Sequence, residues 1–344
     1  MTTLYIDRQG TRLHTEAGVL HIETPDGTGN RRLPIKYLDR VVLRADTQLS
    51  SRVLCALAEG GSNLLALGGR GGQHIAQITG APHGDARRRW QQVLTLSQPQ
   101  ACAAVAQGLI HAKTRRQLST LAHMATQRPD LRKPMHDAQT RLQRTLQSLA
   151  ETTPETTLAT LRGMEGAAAA AYFEAYFSAF APALGATGRN RRPPRDPVNA
   201  VLSLSYTLLY SLASNACWRA GLDPALGALH VISHGRAALA CDLMEPQRPL
   251  TDRWVWEQFR QGILRPEHFG LDGAGACLLG KAGRGHFYAA WEQVVKRFER
   301  SLVAHARLLA KRLDAEGAQA SQTWAHLRGD ASNEISDSWG QEQP

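Results

Sequence analysis

At 344 residues the chain has room for one large or two ordinary domains, and 43 % apolar against 20 % charged residues supply a real core, which excludes a disordered chain. No run approaches the roughly 18 uninterrupted apolar residues of a membrane span, and the opening MTTLYIDRQG has no apolar stretch of signal-peptide length, so a soluble, cytoplasmic protein is expected. Forty basic residues against 30 acidic ones leave a net charge of +10, a balance that points toward a polyanion partner.

Up to about residue 80 the pattern is one of short β-like segments separated by Gly, Asp and Asn: Leu4 to Asp7, Thr11 to His14, Val19 to Glu23, Arg31 to Ile35, Arg40 to Leu43, Leu64 to Leu67 and Gln73 to Thr79. This spacing predicts a small β-sandwich or barrel, interrupted by one helix from Ser50 to Ala58 with Ser50 or Ser51 as its N-cap. The stretch GGRGG at 68–72 lacks the following Lys-Ser/Thr and helix start of a phosphate loop, and reads as a hairpin turn. Residues 81–90 are Pro/Gly-rich and then basic, and mark the linker between two domains.

Beyond them almost every segment has helical periodicity, predicting helices over Arg88 to Ser97, Gln100 to Ala125, Pro134 to Glu151, Thr157 to Phe180, Pro197 to Arg219, Ala238 to Glu245, Asp252 to Gln261 and His286 to Ala315. One extended pair, His268 to Leu279 with a turn at Asp272-Gly273, is the only β element expected there. The expected fold is therefore α+β: an N-terminal small β-sandwich domain (1–80) followed by a larger all-α domain (91–315). A polar tail (316–344), expected to be disordered, carries five acids against Arg328. Thirty-four of the forty basic residues are arginine, whose planar fork suits phosphate; a GC-rich coding sequence would account for most of that ratio. Five cysteines, Cys55, Cys102, Cys217, Cys241 and Cys277, are odd in number and far apart, so they form neither a disulfide framework nor a CxxC zinc pair and are expected as buried thiols.

Three features could carry chemistry. Glu165 lies in the alanine-rich LRGMEGAAAAAYF, where Arg162 at i−3 is the one local partner for its charge. In LHVISHGRAALACDLMEPQRPLTDR, Asp242 and Glu245 share a helix face, and His230 precedes Asp242 by enough residues for a turn at Ser233 to Arg236 to fold it back. Two carboxylates and an imidazole, with a third carboxylate from another helix, suit Mg²⁺ or Mn²⁺ better than zinc. An N-cap and its capping-box partner would explain the acids but not His230. Pro246 disfavours α geometry at Glu245 and is expected to bend or end the helix there. Third, Arg189, Arg191, Arg192 and Arg195 surround Pro193-Pro194 and lead into a helix capped by Asp196-Pro197, a reasonable phosphate-contacting loop, although charge runs are more often solvated faces.

The order LRGMEG, GRNRRPPRDPVNAVLSLSYTLLY, GLDPALGALH and GRAALACDLMEPQRPLTDR resembles the CRISPR-associated integrase, the "Cas one" subunit of the spacer-acquisition complex, over nearly the whole chain. The resemblance implies that Glu165, His230 and Glu245 are ligands of Mg²⁺ or Mn²⁺ and that Asp242 is the neighbouring acid of the same catalytic motif. It also implies a homodimer built through the β domain, with two such dimers bridged by a dimer of the small "Cas two" protein. Gln247 departs from the aromatic residue that many relatives carry there, and His234 adds a second imidazole nearby. The expected activity is metal-dependent integration, with associated endonuclease activity: the 3′-hydroxyl of a short captured duplex attacks a phosphodiester at the boundary of a CRISPR repeat. Arg87, Arg88, Arg89, Arg189, Arg191, Arg192, Arg195 and Arg248 are expected on DNA phosphates. A free-standing structure-specific repair nuclease and a non-catalytic DNA-binding scaffold are the rival readings.

Overall fold

The computed structural model of the protein describes residues 2–68, 74–78, 86–190, 193–231, 233 and 236–331. It is an α+β chain. Strands β1 (Thr2–Ile6), β2 (Thr11–Glu16), β3 (Val19–Glu23), β4 (Arg31–Pro34), β5 (Leu38–Leu43), β6 (Thr47–Leu49), β7 (Asn63–Gly68) and β8 (His74–Ile78) precede the long helices, with α1 (Ser51–Glu59) between β6 and β7. They form two four-stranded sheets, ordered β1-β5-β7-β8 and β4-β3-β2-β6. In the first, β1, β5 and β7 run parallel and β8 is antiparallel to β7. A two-residue turn joins β2 to β3, with Ala17 (φ 48°) and Gly18 (φ 75°) both left-handed, the geometry that matches strand twist in a tight hairpin. Residues 69–72 of the GGRGG stretch and 81–85, half of the expected linker, lie outside the described residues.

Side-chain alternation decides how the sheets pack. In β3, Leu20 and Ile22 turn inward, and with Ile6, Leu13, Val41, Leu43, Val53, Leu57 and Leu64 they make a core shared by both sheets and α1. Strand β5 is buried on both faces: Val41 and Leu43 join that core, whereas Val42, with Leu65 and Leu67 of β7, belongs to the core of the helices. Tyr5 completes the seam by stacking on Tyr288 at 4.1 Å and donating to Glu292 Oε1 at 2.6 Å. Arg284 pairs with Asp7 at 2.7 Å on the same seam. The two parts of the chain thus share packed apolar surface.

The helices are α2 (Ala86–Ser97), α3 (Pro99–Gln127), α4 (Arg132–Ala150), α5 (Leu158–Ser178), α6 (Pro197–Arg219), α7 (Ala238–Met244), α8 (Arg248–Arg260) and α9 (Lys281–Ala331). A short hairpin, β9 (Phe269–Leu271) and β10 (Cys277–Leu279), interrupts them, so this part is not all-α. Helix α6 is buried nearly all round and forms the centre of the body. Its start is set by Asp196, which accepts from Asn199 N at 2.8 Å, with Pro197 in the first turn.

Four boundaries differ from expectation. Helix α2 starts at Ala86, two residues before the expected Arg88, so Ala86 and Arg87 of the expected linker are helix, with Arg88 anchored on Asp314 and Ala220 O. Glu245 keeps α geometry (φ −53°, ψ −47°) despite Pro246, and a tight 3₁₀ turn, Glu245–Gln247, leads straight into α8. Helix α9 begins before His286, and a Cβ at Gly283 would meet Leu279 at 2.7 Å and His268 at 2.8 Å, so the glycine lets the helix close on the hairpin. It also continues past Ala315 to Ala331, where a disordered tail was expected. Cys217 and Cys277 are buried, but Cys55 is exposed. Among the described residues no helix is long and apolar enough to cross a membrane.

Candidate active site

Glu165 of α5, His230 of the segment after α6, and Glu245 of the 3₁₀ turn line one pocket of about 300 Å³, together with Arg162, Leu229, Val231 and Arg236. Asp242 on α7 builds it from behind. Its carboxylate is fully buried and accepts from Ala228 N (2.6 Å), Leu229 N (3.0 Å) and His230 N (2.9 Å), folding that segment against α7. Its Oδ1 also meets His230 Nδ1 at 2.7 Å, so Nδ1 donates to Asp242 and, in the neutral imidazole, Nε2 is the acceptor, 3.8 Å from Glu245 Oε1. The backbone must come close for this, since a Cβ at Gly227 would lie 2.8 Å from Asp242 Oδ2. Ser233 and Arg236 pair across the expected turn; His234 lies outside the described residues.

Between the two glutamates stands a residue that sequence reasoning missed. Lys113 of α3 is buried, donates to Glu165 Oε1, and brings Nζ within 2.6 Å of Glu245 Oε2. Burial alone would depress its amine, but Glu245 and Glu165 hold it above the ordinary lysine value. The available signal is its place in the buried stripe of α3, beside Ile110, Thr114 and Gln117, where a cation is costly without a partner. Arg162, the expected local partner of Glu165, instead donates to Leu229 O at 2.8 Å.

Glu245 is the most constrained of the set. Burial would raise its carboxyl, but Arg248 and Lys113 hold it down at about 2. Arg248 donates to Oε1 at 2.6 Å, and Oε2 faces the Lys113 ammonium at 2.6 Å. The Arg248 guanidinium lies over the Tyr206 ring at 4.5 Å, and the Tyr206 hydroxyl donates to Asp252. Tyr172 also donates to Asp252, at 3.0 Å. Burial pushes the Asp252 carboxyl up to about 6 against those hydrogen bonds and the Arg248 charge. Gln247, in place of the expected aromatic, donates to Ser301 Oγ at 2.7 Å and ties the active-site turn to α9.

The arginines expected on DNA divide. Arg248 supports Glu245 from inside the site. Arg88 bonds Asp314 at 2.8 Å and Ala220 O at 2.9 Å, joining α2, α6 and α9. Arg189 donates to Asn199 Oδ1 at 2.6 Å and lies 5.5 Å from the Tyr206 ring, because Asn199 is the buried anchor of that loop. These three guanidinium groups are committed to protein partners. Arg89 lies 6.0 Å from the Trp218 ring. Arg87 and Arg195 are exposed; Arg191 and Arg192 lie outside the described residues.

Among the described residues no three His, Cys, Asp or Glu side chains stand at coordination distance from a common point. The donor set nevertheless fits a hard divalent cation: two carboxylates and an imidazole line one pocket, and the buried Glu245 Oε2 already faces a cation, the Lys113 ammonium. Lys113 shows directly that the space between the glutamates takes positive charge.

An acid–imidazole pocket rimmed by arginines on a helical body has the makeup of a phosphoryl-transfer centre. The family model of CRISPR associated protein Cas1 matches residues 4–293. A CRISPR-associated endonuclease Cas1 of Thermodesulfovibrio yellowstonii is 33 % identical over 298 residues, covering 86 % of this chain and 92 % of the relative. Another from Rhodospirillum rubrum is 32 % identical over 309 residues, 87 % of this chain and 88 % of the relative. Among solved structures, a casposase bound to its integration product superposes with a TM-score of 0.80 at 19 % identity, over 92 % of this chain and 91 % of that one. A Cas6-RT-Cas1–Cas2 complex gives a TM-score of 0.75 at 23 % identity, over 92 % of this chain and 35 % of that one. The chain belongs to the Cas1 family.

Proposed function

We propose that this protein is a metal-dependent DNA integrase of CRISPR adaptation, joining the 3′-hydroxyl of a short captured duplex to a phosphodiester at the repeat boundary, and that the same centre, given water, acts as an endonuclease. The observation that carries this is the convergence of Glu165, His230 and Glu245 on one arginine-rimmed pocket in a chain of the Cas1 family.

Glu165, His230 and Glu245 would hold a Mg²⁺ or Mn²⁺ ion, which supplies polarisation of the phosphoryl oxygen and a lowered pKa for the attacking hydroxyl. The chain's own contribution is orientation and charge. Asp242 fixes the imidazole with Nε2 toward Glu245. Arg248 keeps Glu245 ionised and is itself held by Tyr206. Arg162 and Arg236 put positive charge at the rim, where a phosphate would enter.

The expected partners are double-stranded DNA, a second copy of the chain paired through residues 1–80, and a Cas2-type dimer bridging two such pairs in a heterohexamer. That the relatives' structures include a Cas1–Cas2 assembly and an integration product supports this reading. The test is integration by purified protein with its small partner, a labelled donor and a supercoiled repeat plasmid. Strand transfer that requires Mn²⁺ or Mg²⁺ is expected, and Glu165→Ala, His230→Ala and Glu245→Ala should each abolish it while leaving DNA affinity nearly intact. Hydrolysis without strand transfer would point to a repair nuclease instead.

A further inference from the structure

We infer that Lys113 is a displaceable resident cation: its ammonium holds the metal-free site together and must leave the two glutamates when a divalent ion enters, so that this lysine sets the metal affinity. The inference rests on the reading of Glu165 and Glu245 as metal ligands.

The observations are positional. Lys113 is 7 % exposed, donates to Glu165 Oε1, and stands 2.6 Å from Glu245 Oε2. These are the oxygens that a divalent ion between the two glutamates would take. Without Lys113 the metal-free site would set Glu165 near a buried Glu245 Oε2 stripped of the counter-charge that now stands 2.6 Å from it, a costly arrangement. With it, each carboxylate has a counter-charge before any metal arrives. An ammonium and a dication cannot share the same two oxygens at close range, because their repulsion in a buried site is large.

The other cations next to the two glutamates are held by protein partners. Arg248 is pinned by Tyr206 and reaches the other oxygen of Glu245, Oε1. Arg162 is tied to Leu229 O. Lys113, on a flexible four-carbon stem with a single charged head, is the exchangeable member.

The test compares Mn²⁺ binding by calorimetry for the wild-type full-length chain, Lys113→Met, Arg236→Gln and Glu165→Gln, with thermal unfolding in EDTA and in saturating Mn²⁺. Lys113→Met is expected to bind Mn²⁺ about tenfold tighter or more, the order of effect that one close like charge has on a charged site. It should also unfold at lower temperature in EDTA, with the gap closing in Mn²⁺. Arg236→Gln removes a rim charge that does not bridge the glutamates, and should tighten binding much less.

Unchanged or weaker affinity in Lys113→Met overturns the inference, as does equal tightening in Arg236→Gln, which would make the effect general electrostatics. If wild type binds Mn²⁺ and Glu165→Gln weakens it while Lys113→Met does not tighten it, only this inference fails. If neither wild type nor Lys113→Met binds Mn²⁺, the metal reading fails with it. Should Lys113→Met not fold, lysine acetylation of the wild type read by mass spectrometry decides. Lys113 reactivity should rise several-fold on adding Mg²⁺ while exposed Lys36 and Lys133 stay constant. Equal protection of Lys113 with and without Mg²⁺ overturns it.

Discussion

Asp242→Asn is the most informative single-atom change in the site, because the carboxylate it alters is fully buried and accepts from Ala228 N, Leu229 N, His230 N and His230 Nδ1. An asparagine there has one oxygen and one NH₂. If its oxygen keeps Ala228 N and Leu229 N, the NH₂ faces His230. The imidazole can respond by moving its proton to Nε2, so that Nδ1 accepts from the new NH₂. One donor, His230 N, is then left buried and unpaired, a cost of about 1–3 kcal/mol. The tautomer change matters more for function than the stability loss, since Nε2 would now carry a hydrogen where it had a lone pair facing the pocket. Loss of such an outer partner lowers metal affinity or activity about 10–100-fold. The assays are urea unfolding, nitrogen-15 NMR of the His230 ring, and strand transfer with Mn²⁺ titration. An Asp242→Asn protein that keeps its proton on Nδ1 and binds Mn²⁺ as wild type would refute the reasoning.

Asp252 should make stability depend on pH. Its carboxyl is raised from 3.8 to about 6 in the folded protein, so the folded state binds the extra proton and the Asp252 contribution falls as pH rises through that window. A shift of that size corresponds to about 3 kcal/mol, and wild type should lose up to about that much stability relative to Asp252→Asn as pH rises from about 4 to 6; a flat difference would mean that Asp252 is not the titrating group. Arg88→Ala should cost about 1–2 kcal/mol in chemical unfolding through its lost charge-assisted bonds to Asp314 and Ala220 O. It should leave the salt dependence of DNA binding unchanged, whereas a slope flattened by about one would put Arg88 on a phosphate. Ala17→Gly should raise stability by about 1 kcal/mol, because a side chain with φ 48° is strained there, and no gain in melting temperature would count against the left-handed turn.

What the sequence made legible was local. Strands with clear alternation, such as Val19–Glu23, and the capped helix from Pro197 could be read directly, as could the segment that brings His230 back toward Asp242. Strand β6 could not, because Thr47–Leu49 is too short for a period and exists through its pairing with β2. The start of α8 at Arg248 was hidden by Pro246 and Pro249, which read as breakers but here occupy first-turn positions where no N–H is needed. Lys113 and Glu165 meet across 52 positions, so a rule that looks one turn along the helix found Arg162 instead. The arginines show the same limit: charge is visible in a sequence, but the partner of Arg88 lies 226 residues away on α9.

The seam between sheets and helices bears on how a dimer would work. Val42, Leu65 and Leu67 bury one sheet face in the helical core, and Tyr5 and Arg284 lock its edge. Burying those three aliphatic side chains stabilises the seam by roughly 5–9 kcal/mol, comparable to the whole stability of a typical domain, about 5–15 kcal/mol. Opening it would therefore cost about as much as unfolding. In the proposed dimer paired through residues 1–80, the two pockets would then be held at a fixed separation by the sheets themselves, and DNA would have to bend or present its ends to suit that spacing rather than the protein adjusting to the DNA.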